Sequence, residues 1–68
     1  MISFTNLFVY LARNGMREGE FRRLAGISAP TLIKLRNNET VTTETINRIC
    51  KAIDCNVSDI MEYIKEED

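Results

Sequence analysis

Residues Phe21–Arg36, FRRLAGISAPTLIKLR, leave the chain few conformational choices. Phe21, Leu24 and Ala25 recur at helical spacing and predict the apolar stripe of one short helix. Gly26 follows, the residue type that takes positive φ without a steric cost. Ile27 returns to the core. Ser28 then stands three residues ahead of Thr31 and just before a second apolar series, Leu32 and Leu35, which is the pattern of a capped helix start. Pro30 falls in that first turn, where its missing N–H costs nothing. Two short helices joined at a tight glycine turn make a helix-turn-helix, predicted here over about residues 18–37.

The flanking sequence completes an all-α domain of five short helices, a single unit over residues 1–68. The first helix is predicted near Thr5–Asn14, with Phe4, Leu7, Phe8 and Leu11 on one face and Gly15 as its terminator. Met16 anchors the turn. The second runs near Glu18–Ala25, its Glu18 and Glu20 close to the positive end of the helix dipole and Glu18 placed to pair with Arg22 one turn on. The third spans about Ala29–Asn37. Thr42 or Thr43 caps the fourth, whose buried stripe is Ile46, Ile49, Cys50 and Ile53. Asp54-Cys55-Asn56 breaks it, with Asn56 suited to the left-handed conformation and Val57 returning to the core. Ser58 caps a fifth helix, SDIMEYI, and Lys65–Asp68 forms a short acidic tail. No stretch alternates at strand period.

Several function classes have no footing in this sequence. It holds no histidine and two cysteines among 68 residues, too few ligands for a zinc site and no disulfide framework, so no metal or cofactor is expected. The uncharged opening stretch, Met1–Ala12, lacks the basic lead of a signal peptide and is stopped by Arg13-Asn14-Gly15 well short of the ~20 apolar residues of a membrane span. A cytoplasmic protein that makes no membrane contact is expected. No nucleophile elbow, glycine-rich phosphate loop or paired carboxylates point to an enzyme, and a chain this short has no separate domain to bind a small-molecule ligand.

A helix-turn-helix presents the N-terminal half of its second helix to a DNA major groove. The net charge of −1 runs against that use, because phosphate neutralisation supplies most non-specific affinity. Its distribution runs the other way. Residues 13–38 carry six cations (Arg13, Arg17, Arg22, Arg23, Lys34, Arg36) against Glu18 and Glu20, a balance of +4. Residues 39–68 carry three cations against eight carboxylates, a balance of −5. The positive charge coincides with the turn motif.

LAGIS followed by Thr-Leu and a lysine resembles the Cro/cI-type (XRE-type) helix-turn-helix regulators, and the resemblance extends through VTTETINRICKAIDC to nearly the whole chain. It implies a lambda-repressor-like DNA-binding domain and a transcriptional regulator, a repressor, acting as a homodimer on a palindromic double-stranded DNA operator. It further implies that Ser28 caps the reading helix and can touch phosphate, and that Ala29, Pro30, Ile33 and Lys34 face base edges. Asn37 falls at a phosphate-contacting position, and Arg17 and Glu18 at the start of a helix whose N–H groups meet phosphate. Thr31 joins this set from the reading helix's first turn. The chain departs from the family at Arg22, where a small residue is usual: either its stem lies over the helix contact with its head in water, or the two helices sit slightly apart. Pro30 and Ile33 offer base edges only apolar contact, with thymine methyls.

Val9, Tyr10, Met61 and Tyr63 are apolar yet off the predicted stripes, and mark a candidate dimer interface on helices one and five. The rival reading on the same fold is a protein-interaction module, antitoxin-like or an adaptor, with weak or no DNA binding. The apolar reading face and the overall acidity favour it.

Overall fold

The structure, a computed structural model, describes residues 1–67. Its elements in chain order are β1 (Ile2–Ser3), α1 (Thr5–Arg13), α2 (Glu18–Ala25), α3 (Ala29–Arg36), α4 (Thr43–Ile53), α5 (Val57–Ile60) and β2 (Glu62–Tyr63). The core is drawn from every helix: Phe4, Leu7 and Leu11 around α1, Phe21 and Ala25 from α2, Ile27 from the turn, Leu32 and Leu35 from α3, Ile46 and Ile49 from α4, and Ile60 from α5. α2 packs chiefly on α4, and α1 on α5.

Local chemistry sets the helix ends. Gly15 and Gly26 have φ of 65° and 66° and close the first two helices. The Ser28 hydroxyl accepts from the Thr31 N–H at 3.3 Å, and the Thr42 hydroxyl from the Thr45 N–H at 3.1 Å, so Thr42 rather than Thr43 caps α4. α1 and α3 each stop one residue short of the prediction, with Asn14 and Asn37 as C-caps. Asn38 then takes φ of 56°, and its side-chain oxygen accepts from the Phe4 N–H at 2.7 Å, tying the end of α3 to the start of α1.

Six expectations are corrected. Leu24 is 56% exposed. At 100° per residue it stands about 80° around the helix from the centre of the Phe21–Ala25 stripe, beyond the edge of what α4 covers. The C-terminal segment is only partly helical. Asn56, not Ser58, caps α5, in extended conformation, and its N–H donates to the Asp59 carboxylate at 2.9 Å; the left-handed residue is Asp54, at φ 49°. That earlier start leaves Val57 on the outer surface, 51% exposed, while Ile60 takes the core position. Met61 is extended, and Glu62 and Tyr63 form a strand paired antiparallel with β1, Ile2 opposite Tyr63 and Ser3 opposite Glu62. The clasp continues outward: the Met1 ammonium donates to the Ile64 carbonyl at 2.6 Å, and the Ile64 N–H to the Met1 carbonyl at 2.8 Å. Two-residue strands carry no readable alternation, so this sheet has no signature in the sequence. Lastly, Glu18 does not pair with Arg22; it pairs with Arg36 across the motif.

Both cysteines are free and half-buried. Of the acidic tail, residues 65–67 are exposed, and Asp68 lies outside the described residues.

Candidate nucleic-acid interface

The placement of α3 follows from its two buried leucines. Leu35 is fully buried and Leu32 is 8% exposed, so the opposite face of the helix must point outward. That face carries Ala29, Pro30, Ile33, Lys34 and, just past the helix, Asn37, all exposed. Ile33 is 51% exposed, a large apolar group at the centre of a solvent-facing surface. Ser28 is exposed as well, but its hydroxyl is engaged with Thr31, whose own hydroxyl lies 2.9 Å away. Cap and reading residues are thus locked together, and Thr31 is half-buried.

Beside this face lies a hollow of about 280 Å³ between α3 and the start of α4, lined by Thr31, Lys34, Thr40, Val41, Thr42 and Thr45. Four threonines and one lysine at the head of an 11-residue helix suit an anion such as a DNA phosphate: hydroxyls to donate, an ammonium for charge, and the helix dipole with its positive end toward the ligand. Thr40, Thr42 and Thr45 are not among the contacts that the helix-turn-helix pattern picks out. The signal was present in the hydroxyl run T-V-T-T-E-T of residues 40–45. Only the fold shows that it lies beside Lys34.

The six cations of residues 13–38 do not share one face. Arg17, the extended N-cap of α2, gathers with Glu18 and Arg36 around one hollow. Arg13 lines another, with Asn6, Val9, Tyr10, Ser58 and Asp59, on the α1–α5 side. Arg22 is half-buried, which fits a stem lying along the edge of the helix contact with its head in water.

The motif itself is braced from α4. Arg48 donates to the Gly26 carbonyl at 3.4 Å while paired with Glu44 at 3.3 Å.

An outward α3 held by a left-handed glycine turn and braced by α4 is the geometry of a DNA-reading helix-turn-helix, and comparison with known proteins agrees. The family model for the Cro/C1-type HTH DNA-binding domain matches residues 6–66. The chain belongs to this family. Across its full length it is 34% identical to the HTH-type transcriptional regulator YozG of Bacillus subtilis strain 168, itself uncharacterized, and covers 83% of that protein. The crystal structure of the transcriptional regulator VanUg superposes with a TM-score of 0.89 at 34% identity, over 96% of this chain and 87% of that one. Family membership makes the chain a DNA-binding regulator of the helix-turn-helix class. Among the described residues, no helix is long and apolar enough to cross a membrane.

The four candidate dimer residues do not line one common hollow. Val9 and Tyr10 line the hollow shared with Arg13 and Asp59, and the Tyr10 hydroxyl reaches the Ile53 carbonyl at 3.5 Å. Met61 lies on the other side of α5, in a groove with Thr43, Ile46, Asn47, Cys50 and Val57. Tyr63, on β2, is 70% exposed. Met61 and Tyr63 were assigned to helix five, and both belong to the extended segment after it.

Proposed function

We propose that this protein is a sequence-specific, duplex-DNA-binding transcriptional repressor that works as a homodimer in the cytoplasm without a cofactor or small-molecule effector. The observation that carries the reading is the outward face of α3 beside the threonine-lined hollow. In this reading Lys34 and Thr31 reach base edges or the adjoining phosphate, while Ala29, Pro30 and Ile33 meet thymine methyls. Ser28, Asn37 and Arg17 set the register on the backbone, and Thr40, Thr42 and Thr45 hold a phosphate at the head of α4.

A single reading helix covers one half-site, and affinity for an operator calls for two, about 34 Å apart. The partner is a second copy of this chain. The groove around Met61 supports that choice, because none of its six lining residues is charged. Of the four candidates, Met61 lines this groove, Val9 and Tyr10 line the other, more polar hollow, and Tyr63 lies on β2.

Fluorescence anisotropy with a labelled duplex tests the proposal. With about three cations per protomer on phosphate, log K falls with log salt at a slope near −5 for a dimer. A flat response, or no binding at ~50 mM salt, overturns it in favour of a protein-interaction module. That rival draws its support from Ile33 and Leu24, 51% and 56% exposed, and from the net charge of −1. Sedimentation of Val57→Glu/Met61→Glu against Val9→Glu locates the dimer contact: the first variant is monomeric, the second remains a dimer.

A further inference from the structure

Glu18 opens α2 and Arg36 closes α3. The Arg36 guanidinium donates from Nε to Glu18 Oε1 at 2.7 Å, and Nη2 reaches the same oxygen. The two side chains remain 40% and 51% exposed. Among the described residues, Arg36 is the one cation of the helix-turn-helix held in an ion pair with a side chain.

Such a pair could fasten α2 to α3, or it could withhold a charge. Its exposure decides between them. An ion pair this open to water contributes little to stability, since each partner is nearly as well solvated alone. Its effect on an approaching polyanion is larger. Arg17, Glu18 and Arg36 line one hollow, so the carboxylate shares a small stretch of surface with two of the cations. A phosphate that approaches the remaining N–H groups of Arg36 meets the Glu18 carboxylate beside them, which repels it. Because that carboxylate already neutralises the guanidinium charge, the contact yields almost no further counterion release.

We propose that Glu18 attenuates DNA binding by occupying the Arg36 guanidinium, so that Arg36 becomes a phosphate contact only when the Glu18 charge is removed. This rests on the DNA-binding reading above. The attenuation holds down the phosphate-driven, non-specific component in a protein whose reading face has few base-specific donors, and so raises the ratio of specific to non-specific affinity.

The test is anisotropy with a random duplex over a salt series, using the wild type, Glu18→Gln, Arg36→Gln and the double variant. Glu18→Gln gains one phosphate contact per protomer, so the salt slope steepens by ~0.9 per protomer and binding at ~50 mM salt tightens about tenfold per protomer. Arg36→Gln, with Glu18 left uncompensated, binds more weakly than wild type. The double variant exchanges a neutralised pair for a neutral one and returns to the wild-type slope. Thermal melts of Glu18→Gln and wild type coincide within a few degrees. Unchanged or weakened binding by Glu18→Gln, or a marked loss of its melting temperature, makes the pair a fastener and overturns the inference while leaving DNA binding intact. Failure of every protein to bind overturns the DNA-binding reading and this inference with it.

Discussion

Asn38 joins two demands at one residue, and its substitution separates them. Its φ of 56° lies in the left-handed region, and its side-chain oxygen accepts the Phe4 N–H at 2.7 Å. Phe4 is 3% exposed, so the N–H has little water to turn to. Leaving a buried donor unpaired costs ~1–3 kcal/mol. Alanine lacks the tolerance of asparagine for the left-handed region, and holding it at positive φ costs a further ~1–2 kcal/mol. Asn38→Gly loses only the hydrogen bond, ~1–3 kcal/mol. Asn38→Ala loses both, ~2–5 kcal/mol. Asn38→Asp keeps an acceptor and a side chain tolerant of the left-handed region, and stays close to wild type. In a domain of this size each kcal/mol moves the melting temperature by ~4–8 °C, and the larger loss approaches the whole stability. Urea unfolding followed by far-ultraviolet circular dichroism gives the order Asp ≈ Asn > Gly > Ala. Equal stabilities for Gly and Ala would show that the backbone conformation carries no cost. An Asp variant as unstable as Ala would show that the bond to Phe4 is not formed. The same residue leads into the loop bearing Thr40 and Thr42, so Asn38→Gly should also weaken DNA binding.

Lys34→Ala weakens DNA binding while leaving the melting curve unchanged, whereas Ile49→Ala, at a fully buried position, costs ~2–5 kcal/mol and unfolds most of the protein; paired melting and binding curves check both. Gly26→Ala costs ~1–2 kcal/mol through its φ of 66° alone, since a Cβ there meets no atom within 4 Å, and Gly26→Asn costs less; urea midpoints decide. Burial, then the neighbouring Cys50 and the carboxylates of Asp59 and Asp54, push the Cys55 thiol up to about 12. The folded state therefore holds this proton where the unfolded chain has released it, so stability falls as pH rises from ~8.5 toward that value. Cys55→Ala lacks this component of the decline, as denaturation between pH 8 and 10 shows, and an identical pH dependence in the two proteins refutes it.

The helix-turn-helix was legible because its determinants are local. Gly26, the Ser28 cap, Pro30 in the first turn and the Leu32–Leu35 pair each act within a few residues, and the structure forms α2 as read and α3 to within one residue at its end. The outward face of α3 was legible for the same reason: two buried leucines on one side of a helix leave Ile33 and Lys34 on the other. Relations between distant parts of the chain were not legible. β1 meets β2 across about sixty residues, and no two-residue strand announces its partner. That pairing draws Met61 and Tyr63 out of the helix that local spacing predicts, because it satisfies backbone groups at both ends of the chain at once. Glu18 had a local partner at Arg22, and the fold gave it Arg36 instead, a choice that depends on how α3 lies against α2. The hydroxyls of Thr40, Thr42 and Thr45 are spread along a loop and a helix start, and become one surface with Lys34 only when α4 packs against the motif. Local stereochemistry and periodicity, written residue by residue, determined the first four helices and the outward face of α3. The packing of those elements, which depends on long-range contacts that no short stretch encodes, decided which charges meet, which apolar groups stay outside and which hydroxyls gather beside Lys34.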